Sequence, residues 1–328
     1  MRHILLALLT GVGLAASASI AMGQSSLSRL AAPAFALPPE SVTVTATKPS
    51  AETIESYVET RAQPTYVLGR MARWTKKVCP VTAGLADKYA KYITLRIKEI
   101  ATAVGAPVND DPRCWPNIEV IFTLNPQILL NNLRKDQSLL LGYHHNESEA
   151  DELAKVTHPV QAWYTTISQD LDGSTFVDDG TCRNGGTSMN TSPTTTDTGV
   201  VSSLTRFPCA IALHSSGGRA VDGLNSGFFN VVIVADPSKL LDYEIGTLGD
   251  YVAMMALSQP ASLDRCQDLP SISNLLAKGC TSIPSWITDG DLAFLKGLYR
   301  TPSGFSMTAQ RNEMQYQMKK TLVTDKGG

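Results

Sequence analysis

His144-His145, followed by Glu147, Glu149, Asp151 and Glu152, is the densest run of metal-capable side chains in this 328-residue chain. Imidazole and carboxylate together suit zinc or a similar divalent ion. His158 is a further candidate ligand nearby in sequence. A plainer reading competes with the metal site. Adjacent residues on an extended segment point to opposite faces, and acidic side chains are favourable at the start of a helix. Ser148 and Asp151 have the spacing of a capping box, with Asp in place of the usual Glu.

A second constellation is His214-Ser215-Ser216-Gly217-Gly218-Arg219, which could supply a serine nucleophile with His214 as its base. Such a base must reach the hydroxyl and needs an orienting partner of its own. Adjacency in sequence shows neither, and Ser-Gly-Gly is also ordinary turn chemistry. Asp250 is the remaining candidate for acid–base work. The chain has no GxSxG nucleophile elbow, phosphate-binding P-loop, HExxH or EF-hand loop. No cofactor is therefore predicted.

The elements that must position these residues can be traced from hydrophobic spacing. Asp87 to Val104 carries apolar residues three to four apart and stops at Gly105 and Pro107, which predicts a helix. Asn117–Thr123, Val160–Thr166, Ala210–His214 and Phe228–Val234 read as strands. Helices are expected over Pro126–Leu140, from near Ser148, from Tyr243 or Gly246 to Ser258, and from the Thr288/Asp291 start signal through Leu298. Residues 307–321 add a polar helix. The pattern predicts an α+β fold, with a mixed sheet packed against helices.

The N-terminus predicts export, with a retained membrane anchor as the competing reading of its apolar run of about 20 residues. Arg2 precedes an uncharged run from Ile4 to Met22, and small residues close it, with Ala21 and Gly23 placed for cleavage before Gln24. Residues 1–23 are thus a predicted signal peptide for the periplasm or the medium. No later stretch approaches spanning length, so no transmembrane segment is expected after cleavage. Residues 24–65, rich in Pro, Thr and Ala, are expected to be flexible, with a single domain over 66–302. Within it, 168–203 reads as a mobile loop, plainest at Ser192–Thr198, and 303–328 as a closing helix and tail.

Removing residues 1–23 takes away Arg2 and leaves 27 basic against 30 acidic side chains, a net charge of −3. That balance gives no electrostatic footprint for nucleic acid; other partners are not indicated. The six cysteines, Cys79, Cys114, Cys182, Cys209, Cys266 and Cys280, form no CxxC. An even number in an exported chain favours disulfides. Sequential pairing, Cys79–Cys114, Cys182–Cys209 and Cys266–Cys280, would keep each loop local.

The order of the C-terminal half carries a resemblance. A strand, Phe228–Val234, leads to the helical Ile245–Leu257, then a Cys-bounded excursion, then Ile287-Thr288-Asp289-Gly290-Asp291-Leu292 running to Leu298-Tyr299. This is similar to the end of matrixin-type metzincin peptidases, whose closing helix starts at Thr-x-x-Asp and ends in Leu-Tyr. In that family the helix after the strand bears HExxH, with two His on zinc and the Glu activating water. Matching Gly249-Asp250-Tyr251-Val252-Ala253 to that motif puts Gly and Ala where both His belong and leaves only Asp250 acidic. The resemblance thus implies a degenerate, zinc-less scaffold. The segments Asp250-Tyr251-Val252-Ala253-Met254 and Leu141-Gly142-Tyr143-His144 are similar to a family of exported Gram-negative proteins, which implies export and no particular activity. Three readings follow: a non-catalytic binding or scaffold protein, an exported hydrolase built from the scattered His and Asp250, or an envelope-associated structural protein.

Overall fold

The computed structural model describes residues 48–182, 187–196, 199–208, 213–218 and 221–324. The predicted signal peptide, its cleavage site and Cys209 lie outside them. The fold is α+β. Its main sheet has five strands: β1 (Pro80–Ala83), β2 (Ile118–Phe122), β3 (Val160–Gln169), β4 (Thr175–Val177) and β7 (Asn225–Ala235). Their order is β1-β2-β7-β3-β4. β1, β2 and β7 run parallel, whereas β3 is antiparallel to both β7 and β4, so the sheet is mixed.

Central strand β7 explains its own sequence. Val231, Ile233 and Ala235 point into the larger core, and Val232 and Val234 into the smaller one. A strand covered on both faces must be apolar at every position, which is why this run shows no alternation. On the larger face lie α2 (Asp87–Val104) and α5 (Ile245–Leu257). The opposite face is covered by α3 (Pro126–Asp136), the short 3₁₀ turn Ser138–Leu141, and α4 (Glu147–Leu153). Helix α2 has the predicted bounds and ends at Gly105, whose φ of 86° is the left-handed geometry a glycine stop provides.

Helix α6 (Asp289–Arg300) opens with the capping box read from the sequence: Thr288 and Asp291 bond each other's backbone N–H. Asp291 is fully buried and also accepts from Tyr57 Oη (2.6 Å), Ser271 Oγ (2.5 Å) and Ile272 N (2.9 Å). One carboxylate thereby ties three separate segments together. Two disulfides staple the fold as expected, Cys79–Cys114 and Cys266–Cys280. Cys182 is also disulfide-bonded; its expected pairing with Cys209 falls outside the described residues. No helix among the described residues is long and apolar enough to cross a membrane.

Four expectations need correction. The segment before Tyr66 is not without structure: residues 51–61 form helix α1, capped by Ser50, with Ile54, Tyr57 and Val58 in the larger core. The prolines around it masked its helical spacing. The expected loop over 168–203 contains instead residues 187–196 as β5, paired antiparallel with β6 over 199–208. The Thr-rich composition of β5 suits a strand without any apolar alternation to announce it. Leu213 and His214 are not in a strand, and Ala210–Ala212 lie outside the described residues. Helix α4 is capped by Asn146, which accepts from Glu149 N, rather than by Ser148. The closing helix α7 (Met307–Thr324) packs into the main core through Met314 and Met318.

Candidate functional site

The structure disperses the predicted metal ligands. His144 is buried, with Nδ1 bonded to the Gly142 carbonyl at 2.8 Å. Its neighbour His145 is exposed on the other side, where Nε2 meets Tyr66 Oη at 2.9 Å and the ring stands edge-on to Tyr66 and Tyr143. His158 bonds Thr157 Oγ1 and Asp264 Oδ1. The acids after His145 are engaged in and around α4: Arg134 pairs with Glu147 and Asp151, Glu152 with Lys155, and Glu149 accepts from His145 N. His144, His145 and His158 therefore do not form a common site.

Asp250 is not free either. It is 3 % exposed, with Oδ1 held by Arg96 Nε at 2.5 Å and Oδ2 accepting from Ile287 N at 2.7 Å. Arg96 comes from α2 and Ile287 precedes α6, so Asp250 joins three segments from the middle of α5. Every residue of α5 from Thr247 to Leu257 is buried. A Cβ on Gly249 would sit 3.3 Å from Tyr92 Cε1 and 3.6 Å from Arg96 Cγ. The Gly249 face of α5 thus packs against Tyr92 and Arg96 of α2, which would have to give way to any larger side chain there.

His214 has the most chemically capable setting. Its Nδ1 lies 2.5 Å from Asp172 Oδ2, and its carbonyl accepts from Leu171 N at 2.9 Å. Asp170 is buried, and its Oδ1 accepts from Asp172 N and Ser174 N. Asp170, Asp172 and His214 each offer a ligand atom within 4.8 Å of the others, the one such group among the described residues. The Asp172 hydrogen bond, then the charges of Asp172 and Asp170, push the imidazole pKa above its ordinary value. A proton on His214 thus answers both carboxylates. The sequence signal was the Asp170-Leu171-Asp172-Gly173-Ser174 turn, but its meeting with His214 spans 42 residues.

The orienting partner for His214 therefore exists, but the serine half of the pair does not follow. Ser216 Oγ donates to the Val221 carbonyl at 3.1 Å rather than to the imidazole. His214 and Asp172 are also largely open to water, with side-chain exposures of 71 % and 61 %.

Comparison with protein-family models, with curated proteins and with solved structures finds no match.

Proposed function

We propose that this chain is an exported, non-catalytic binding or scaffold protein, on a fold related to matrixin-type peptidases but without their zinc. The observation that carries this reading is the fate of Asp250. The only acidic residue left at the peptidase motif is spent on Arg96 and a backbone N–H inside a wholly buried helix. General acid–base work needs a group that can reach substrate. The disulfides agree with an oxidising compartment outside the cytoplasm. The order β7, α5, disulfide-closed excursion, capping-boxed α6 supports the kinship with the peptidase scaffold.

The second reading, an exported hydrolase, draws on one observation: the Asp172–His214 pair, which gives an exposed imidazole an oriented tautomer. A turnover screen with peptide and activated-ester substrates separates the two. The proposal expects wild type and H214A to match the uncatalysed rate. Turnover by wild type that H214A loses would replace it with the hydrolase.

A further inference from the structure

Among the described residues, Arg61 is the buried cation with no partner to explain it. It ends α1 and is 2 % exposed, yet its Nε and Nη2 have no hydrogen-bond partner. No carboxylate pairs with it among the described residues. An isolated charge taken out of water costs several kcal/mol unless a counter-charge or hydrogen bonds replace the lost hydration. The other buried arginine among the described residues meets that demand. Arg70 is 5 % exposed and pairs with Asp222 and the Leu224 carbonyl. Arg61 stands apart from it.

Arg61 shares its phenol neighbours with two carboxylates, Asp291 at Tyr57 and Asp264 at Tyr251, but pairs with neither. Burial pushes Tyr164 and Tyr251 up, Tyr251 to about 12, and in both cases Arg61 is the group that draws the phenol back down. It acts on Tyr57 in the same sense, against burial and Asp291. Tyr57 Oη is committed to Asp291, and Tyr164 Oη to the Met255 carbonyl at 2.9 Å. Two residues past Arg61, Gln63 N bonds the Gln259 carbonyl, which fastens the end of α1 to the end of α5. Gln259 Oε1 is itself buried without a donor.

The two empty donors are informative as a pair. Nε–H and Nη2–H form one edge of the guanidinium, the edge that meets both oxygens of a carboxylate in a side-on, two-bond fork. We propose that the junction of α1 and α5 is a binding site for a small oxyanion, a carboxylate by preference, held on that edge of Arg61. Because Arg61 is only 2 % exposed, the ligand must be small. The inference names the ligand class of the binding protein proposed above, but its test does not depend on the absence of catalysis.

The experiment uses the full chain purified in chloride. Thermal melts are followed at constant ionic strength with acetate, with lactate and with inorganic phosphate, for wild type, R61M and R61K. The expected result is a saturable rise in wild-type Tm with a carboxylate, and at least a roughly 30-fold weaker response in R61M, the loss that follows truncation of a buried charge-pair partner. R61K, which keeps the charge but not the fork, should fall between them. A response to phosphate and not to carboxylates would keep the site and change its ligand. Identical wild-type melts in chloride and in every oxyanion would overturn the proposal and leave internal water as the partner of Arg61. Should R61M fail to fold, the wild-type and R61K titrations decide: equal shifts in both contradict the fork.

Discussion

Replacing Asp250 tests whether this carboxylate is a structural tie or a catalytic remnant. Its side chain is 4 % exposed against 24 % for Arg96, so the pair is only half sealed from water. Hydrogen bonds to charged groups contribute about 1.5–3 kcal/mol each, and a buried N–H left unpaired costs about 1–3 kcal/mol. In D250A the Ile287 N–H loses its acceptor, whereas Arg96 can rehydrate and keeps Glu99 at 2.8 Å. The expected loss is therefore about 2–4 kcal/mol. For a chain of this size each kcal/mol moves Tm by about 2–4 °C, so D250A should melt roughly 5–15 °C lower. D250N keeps an acceptor for Ile287 but faces Arg96 with no charge, and should lose about half as much. Urea and thermal denaturation of wild type, D250N, D250A, R96A and the double variant R96A/D250A provide the assay. The cycle should show a coupling of at least about 1 kcal/mol between the two residues. A D250A protein that melts with wild type, or that loses a measurable turnover while keeping its stability, would refute the structural reading.

Other outcomes follow from the same geometry. Removing the Cys79–Cys114 bridge frees a loop of 35 residues and removing Cys266–Cys280 one of 14, so the double alanine variants should lose about 4 and 3 kcal/mol respectively; equal stability of oxidised and reduced protein would contradict both. The imidazole of His214 should titrate above the ordinary histidine value by NMR, and D172N should bring it down; an unchanged midpoint would show that Asp172 is not its partner. The sign is that of a raised base: whatever the His214 contact contributes is present below the ordinary histidine value and fades as pH rises through the elevated one. Any loss of ordering around Asp170–Ser174 should accordingly appear on the alkaline side.

Local regularities carried the readable part of the fold. The spacing in α2, its Gly105 stop, the unbroken apolar run of β7 and the Thr288/Asp291 box all encode their structure within a few residues. What the sequence hid is of longer range. Arg96 and Asp250 are 154 residues apart, and Tyr57 and Asp291 are 234 apart, so neither contact leaves a pattern in any window. Helix α1 was legible in principle, since Ile54, Tyr57, Val58 and Arg61 fall on one helical face, but a charged residue at the end of that face argues for solvent rather than for burial. Strand β5 failed for the opposite reason: polar Thr and Ser in a strand look like loop when the apolar alternation is missing. The candidate site was legible only as single residues. His144, His145 and His158 were given a shared role that their separate partners take away, while His214 gained in Asp172 and Asp170 the neighbours that adjacency in sequence could not supply.

The central proposal, a zinc-less relative of the peptidase scaffold, is tested most directly by elemental analysis of the full chain expressed in zinc-supplemented medium and purified without chelator. The account predicts well below one zinc per chain, and no change in Tm when a chelator is added. One tightly held zinc per chain, lost together with thermal stability on chelation, would contradict it.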